Sequence, residues 1–231
     1  MPGLVQSTRI PVLLVPVKVI AEAALARGVV LDPLLLIDRS RLHAFLHSVS
    51  GRQLLKAAAA LWITRALAWH VAALVMQRQC ATNWCWAAVA ASTARYYDAG
   101  TTWTQCVLAD AELNQQTCCQ NGSSASCNQP HKLSLALSRA QVLQALLSGQ
   151  VGFNTLRDEI DANRPLCWRI EWNGGGGHFA AIYCWADDSG TRWLGIADPD
   201  GPELSTITMG ELTNGVYGDG GTWTHTYLTQ P

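Results

Sequence analysis

Pro165-Leu-Cys-Trp-Arg-Ile-Glu-Trp-Asn-Gly-Gly-Gly-Gly-His-Phe179 is the stretch where the chain changes its period. Leu166, Trp168, Ile170 and Trp172 alternate with Cys167, Arg169 and Glu171, the repeat of two that sends successive side chains to opposite faces of a strand. The Gly174–Gly177 run reads as a turn. His178–Trp185 and Trp193–Asp198 read as two further strands around Asp187-Asp188-Ser189-Gly190, with shorter strands near Ser205–Met209 and Thr222–Thr229. Upstream of Pro165 the pattern is helical. Asn83–Asp98 predicts a helix with Asn83 as its N-cap and Gly100 closing it. Thr101–His131, rich in Asn, Gln, Ser and Cys, has little periodicity and predicts a mostly irregular excursion. Helices are expected again at Leu135–Leu147 and from Asn154 or Thr155, where Thr155-x-x-Asp158 fits a capping box, stopping before Pro165. The expected class is α+β: a helical half packed on an antiparallel sheet half, with a cleft between them.

The 231 residues carry Lys+Arg 16 against Asp+Glu 17, a balance that does not mark a nucleic-acid binder. The balance conceals an asymmetry. Residues 1–76 hold eight Lys/Arg and three Asp/Glu, for +5, whereas residues 77–231 hold eight and fourteen, for −6. The first segment also has no cysteine, is rich in Leu, Ala and Val, and reads as mostly helical, above all over Leu54–Met76. Lys56, Arg65 and His70 make that run a poor transmembrane span. Arg9 and Ala24-Leu25-Ala26 resemble parts of a cleaved leader, but Pro11, Pro16, Lys18 and Glu22 interrupt it. The division expected is therefore an apolar, basic N-terminal segment over 1–76, acting as a pro-segment or targeting segment and able to dock within the molecule, and a second domain over 77–231.

All 8 cysteines lie between Cys80 and Cys184. So many in one domain point to disulfides and an extracytoplasmic or secreted location, the alternative being cytoplasmic. If Cys85 is kept as a thiol, at most three pairs form and one cysteine is left over. Adjacent Cys118 and Cys119 cannot readily join each other and need separate partners, with Cys106 and Cys127 the candidates. A zinc site is the rival reading, but this spacing lacks the paired C-x-x-C pattern of structural zinc.

Cys85 falls in the first turn of the predicted helix, where free N–H groups and the helix dipole stabilise a thiolate. Flanked by Trp84 and Trp86, it reads equally well as a buried core cysteine. Gln79, six residues upstream on a segment that must turn into the helix, can aim its amide at the space the Cys85 N–H faces, and two such donors suit an oxyanion. A base must come from His43, His47, His70, His131, His178 or His225. His178 opens a strand after four glycines, and a hairpin centred near Asp188 and Ser189 sets it opposite about residue 199, beside Asp198. A carboxylate there fixes the imidazole tautomer and steadies the imidazolium, although Asp198-Pro199-Asp200-Gly201 also reads as a plain turn. His225 in Trp223-Thr-His-Thr-Tyr227 is the alternative base.

Together these residues resemble a known family. Gln79-Cys-Ala-Thr-Asn-Trp-Cys85-Trp86-Ala87 resembles the papain-like signature of Gln, five residues and Cys-Trp-Ala, and Gly177-His178-Phe179 with Ala197-Asp198-Pro199 resembles its other motifs. The likeness, over about 77–231, is to compact bacterial papain-like cysteine peptidases, the group of avirulence-type effector proteases and bacteriocin-leader-type peptidases. The chain departs from the larger papain and cathepsin enzymes in having Thr82-Asn83-Trp84 before the nucleophile, Asp198 where those have Asn, and only 93 residues from Cys85 to His178. The resemblance implies hydrolysis of peptide bonds in a protein or peptide substrate through an acyl-enzyme on Cys85. His178 would be base, Asp198 its orienter and Gln79 an oxyanion donor, with neither metal nor organic cofactor. Amidase or transglutaminase-like acyl transfer shares the arrangement, and a non-catalytic, disulfide-stapled binding module is the reading from another class.

Overall fold

A computed structural model describes residues 69–188, 190–201, 205–218 and 220–231. The chain divides into two units, Met1–Trp69 and His70–Pro231. Most of the segment 1–76, with the helix expected to begin at Leu54, lies outside the described residues. Its last part is not helical: His70–Val71 is a short strand, β1, and residues 72–79 form no helix. Ala72 and Leu74 are buried in the second unit, so its packing begins at His70 rather than Gln77.

The second unit is α+β. Strands β2 (Leu143–Ser148), β3 (Leu166–Trp172), β4 (Gly177–Asp188), β5 (Thr191–Ala197), β6 (Ser205–Thr208) and β7 (Gly221–Thr229) form an antiparallel sheet in the order β2-β7-β3-β4-β5-β6. Beyond the end of β3, β1 pairs with β4, His70 facing Trp185 and Val71 facing Cys184. The His70 ring stacks on Trp185 at 4.0 Å, and both rings reach the Asp161 carboxylate, which ties the start of the unit to the sheet.

Alternation along the strands divides two apolar cores. Leu166, Trp168 and Ile170 of β3 join Ala180 and Ile182 of β4, Leu194 and Ile196 of β5 and Trp223 of β7 beneath helix α4 (Phe153–Asp161). Cys167, Phe179, Ala181, Ala197 and Tyr227 pack with α1 (Cys85–Tyr97), α2 (Gln105–Leu113) and α3 (Leu133–Arg139). A fifth helix, α5 (Met209–Thr213), is a short turn closed by a Thr208/Glu211 capping box. Because α4 packs with its own core, the helices are not all gathered in one half. Helix α1 is buried from Cys85 through Ala94, and its alanines let it lie close to the sheet, where the Thr93 hydroxyl meets Cys167 Sγ at 3.5 Å.

Three local expectations are corrected. Leu143–Leu147, expected at the end of a helix, belongs to β2 and alternates half-buried and exposed residues against β7. That sheet edge offers hydrogen bonds which outweigh the helical propensity of Leu and Ala. Thr155 does not cap α4, which starts two residues earlier with Gly152 at the N-cap. Within the irregular stretch Thr101–His131 lies α2, its N-cap Thr104 accepting a hydrogen bond from the Val107 N–H.

Candidate active site

Cys85 is the first residue of α1, and its backbone N–H is one of the first-turn donors that no intrahelical carbonyl serves. Trp84, not Asn83, occupies the N-cap, and it offers no side-chain cap. Asn83 is committed elsewhere: its N–H donates to Asn128 Oδ1 and its side-chain amide to the Asn128 carbonyl, each at 2.9 Å. The two tryptophans beside Cys85 fasten the same loop. Trp84 Nε1 donates to the Cys127 carbonyl at 2.7 Å and Trp86 Nε1 to the Gln129 carbonyl at 3.0 Å. Gly122 lies so near the Trp84 ring that a Cβ there would stand 2.7 Å from it. Two disulfides, Cys106–Cys119 and Cys118–Cys127, staple this excursion, and Cys80, Cys85, Cys167 and Cys184 are free thiols.

Cys85 borders a cavity of about 680 Å³. One wall comes from Thr82, Asn83, Trp86, Pro130 and His131, the other from Trp172, Gly177, His178, Asp198 and Tyr217. His178 Nε2 lies 2.7 Å from Asp198 Oδ1, which leaves Nδ1 as the nitrogen for the Cys85 thiol. The register is not the one expected. A bulge between Ile182 and Cys184 shifts the β4–β5 pairing, and the ladder ends at Ala181↔Ala197, a register that, extended by one residue, would set position 180 rather than 178 opposite Asp198. The carboxylate reaches His178 on the diagonal, two residues along the same face. The Trp172 ring lies nearly parallel to that of His178, with centroids 6.2 Å apart.

Charge is stabilised at both ends of this pair. Burial works against the His178 imidazolium, but hydrogen bonds and charge from Asp198 and Cys85 more than offset it and push its pKa up to about 10. Burial likewise raises the Asp198 carboxyl, yet the imidazolium, the Tyr217 hydroxyl and the Asp200 N–H together hold it below the usual carboxylate range. Tyr217 donates to Asp198 Oδ2, while the Asp200 N–H joins His178 on Oδ1 at 2.8 Å. Burial, then the charge of Asp198, pushes the Tyr217 phenol far above its ordinary range, so it remains a donor. Sequence reasoning missed Tyr217. It lies among glycines in Gly215-Val216-Tyr217-Gly218, with no spacing or periodicity to single it out.

Gln79 borders the same cavity. Its backbone N–H donates to the Pro199 carbonyl at 2.8 Å, tying the approach to α1 to the loop after β5. One amide hydrogen goes to the Thr82 carbonyl at 2.9 Å, and Oε1 is buried without a hydrogen-bond partner among the described residues. Leaving such an atom unpaired typically costs about 1–3 kcal/mol. His225 is not brought in: it sits in β7 opposite Ser148 and Arg169, with Nδ1 2.9 Å from the Thr224 hydroxyl, and is not among the residues around the cavity. Of the other histidines, His131 joins the cavity, His70 packs on Trp185, and His43 and His47 lie outside the described residues. Among the described residues the ligand atoms of Asp110, Cys118 and Cys127 lie within 4.8 Å of one another, but the two sulfurs are joined as a disulfide and offer no thiolate. No helix among the described residues is long and apolar enough to cross a membrane.

The family described as papain-like cysteine protease AvrRpt2 matches residues 68–216, a span that contains Gln79, Cys85, His178 and Asp198 and begins two residues before β1. No curated protein matches the chain.

Proposed function

We propose, since the chain belongs to the papain-like cysteine protease AvrRpt2 family, that it hydrolyses peptide bonds through an acyl-enzyme on Cys85. The family is one of cysteine peptidases, hydrolases that act on protein substrates. The observation that carries the finer reading is the contact of Asp198 with His178 at 2.7 Å beside a cysteine that opens a helix, all around one cavity.

The steps follow from these positions. The Cys85 thiolate attacks the scissile carbonyl carbon, and the π electrons move to oxygen. The oxyanion is met by the Cys85 N–H and by the second amide hydrogen of Gln79, where loss of one donor typically costs about 10²–10³ in rate. The His178 imidazolium gives its Nδ1 proton to the departing amine as the C–N bond breaks, leaving a thioester and a neutral imidazole. That imidazole then takes a proton from water, whose oxygen attacks the thioester. Collapse expels the Cys85 thiolate, releases the carboxylic acid and restores the ion pair. Asp198 keeps Nε2 protonated throughout and steadies the imidazolium. The same reading has the chain working in an oxidising, extracytoplasmic setting, supported by the two disulfides.

The test is inactivation by a thiol alkylating agent with the adduct mapped to Cys85. Cys85→Ala should lower turnover by about 10⁶, as loss of a nucleophile can. His178→Ala should be nearly as damaging and His225→Ala mild. Near-normal turnover in Cys85→Ala would end the mechanism, and the opposite order of the two histidines would reassign the base.

A further inference from the structure

A second histidine faces the cavity, and its supports form a second pair. His131 sits just before α3, at the end of the disulfide-stapled loop, and its Nε2 lies 2.9 Å from Oε2 of Glu112 on α2. That carboxylate is only 5% exposed, against 20% for His131. Its other oxygen, Oε1, accepts from Arg139 Nε at the end of α3. Burial raises the Glu112 carboxyl, but Arg139 and His131 more than offset this and hold it below its ordinary range. Glu112 is therefore a fixed anion with one donor on each oxygen. The His131 ring is braced from the side by Trp86, with centroids 5.1 Å apart at 58°. Among the described residues its Nδ1 has no hydrogen-bond partner.

This is more apparatus than a loop anchor needs. The loop is already held by Cys118–Cys127, by both indoles and by the Asn83–Asn128 pair of hydrogen bonds. Arg139 and His131 each meet one oxygen of Glu112, so the pair leaves no uncompensated negative charge on that wall of the cavity. Two acidic residues also border that cavity. Asp198 is engaged by His178, Tyr217 and the Asp200 N–H, and Asp200 follows β5 on the sheet side.

We propose that His131, held by Glu112 and Trp86, forms a substrate subsite that takes a carboxylate, from either an acidic side chain or the C-terminus of the peptide. The subsite rests on the peptidase reading and adds to it a substrate class. Its geometry is that of a single charge-assisted hydrogen bond from Nδ1–H to a carboxylate oxygen, with the ring fixed in advance so that little side-chain freedom is lost on binding. His131 touches substrate in this arrangement and takes no part in bond making.

The experiment profiles the full-length protein on paired peptides that carry Glu or Gln at each position around the cleaved bond, each made as the free acid and as the C-terminal amide. At one position, or at the chain end, the carboxylate form should be favoured by about tenfold in kcat/KM, expressed mainly in KM. In His131→Gln the ratio should fall to about one, and in Glu112→Gln it should fall without reaching one. Titration of Cys85 with an alkylating agent counts the folded sites in each variant. A preference that follows internal Glu assigns the subsite to a side chain, and one that follows the free acid assigns it to the chain end. Both support the proposal. Equal rates for every pair in the wild type, or a preference kept in His131→Gln, would overturn the subsite while leaving the peptidase reading intact. A wild type whose Cys85 titrates but which cleaves no peptide would overturn that reading and the subsite with it.

Discussion

Asp198 is the residue on which the electrostatics of the site turn, because its two oxygens collect three donors: His178 Nε2, the Asp200 N–H and the Tyr217 hydroxyl. Three donors hold a half-buried carboxylate below its ordinary pKa range. Its folded pKa is depressed, so the stability and orientation it contributes are present above the ordinary carboxylate range and lost as pH falls through the lower folded value. Tyr217→Phe deletes one donor without changing the shape, lets the Asp198 pKa rise, and should move the acid limb of kcat/KM to higher pH with a loss of about tenfold or less near neutrality. A pH–rate profile with an unmoved acid limb would make Tyr217 a packing partner of Trp168 only. The opposite sign holds for His178. Its pKa is raised to about 10, so its stabilisation is full below the ordinary histidine range and fades as pH rises through about 10. Asp198→Ala removes the largest support for that charge. It should lower turnover by up to about 10⁴ by analogy with other triads, and it should slow Cys85 alkylation near pH 7. If both are unchanged, Asp198 is a turn residue.

At the scale of elements, the site joins the start of α1 to a loop with no helix or strand between α2 and α3, which rings, amides and disulfides have to hold. The two bridges close short loops, with sequence separations of 13 and 9. In the chain-entropy picture each restricts the unfolded chain by about 3 kcal/mol. Cys118→Ala/Cys127→Ala should therefore lower Tm by roughly 5–12 °C. Because Trp84 and Trp86 donate to carbonyls of this loop, the loss should also raise KM and admit proteolysis first within residues 114–132 while the far-ultraviolet signal of the sheet persists. Unchanged Tm and KM would mean that the hydrogen bonds from Asn83, Trp84 and Trp86 suffice.

At the scale of the whole molecule, the charge asymmetry suggests regulation. The +5 of residues 1–76 lies entirely before His70, since the seven residues His70–Met76 contain no Lys, Arg, Asp or Glu, whereas the remainder of the chain carries −6. Opposite net charge favours docking that weakens with salt. We propose that the segment restrains the peptidase. The shortened protein that tests this starts at His70, because β1, Ala72 and Leu74 belong to the second unit and a start at Gln77 would strip them from it. Residues 70–231 should hydrolyse a generic peptide faster than the full chain, and added 1–69 should slow them more at low salt than at high salt. A folded short form that titrates fully at Cys85 and is no faster than the full chain would exclude inhibition.

The sequence by itself determined what depends on neighbours along the chain. The alternation in Leu166–Trp172 defined a strand to the residue, the glycines before His178 marked a turn, and Cys85 fell in the first turn of a helix because the alanine-rich run after it has no other strong preference. The candidate set Gln79, Cys85, His178 and Asp198, all of which border one cavity, could be named for the same reason, since each carries a local motif. Tertiary structure decided what depends on partners distant in sequence. Leu143–Ser148 became a strand because β7 offered it an edge, and Asn83 lost its capping role because Asn128 competes for it across 45 residues. The bulge at Tyr183 set the β4–β5 register, leaving Asp198 to meet His178 on the diagonal. Tyr217 and the Glu112–His131 pair were invisible to pattern because hydrogen bonds between side chains on separate elements leave no period in the sequence. The Tyr217–Asp198 contact exists only once the sheet has formed, and the Glu112–His131 pair only once the stapled loop has set its end against α2.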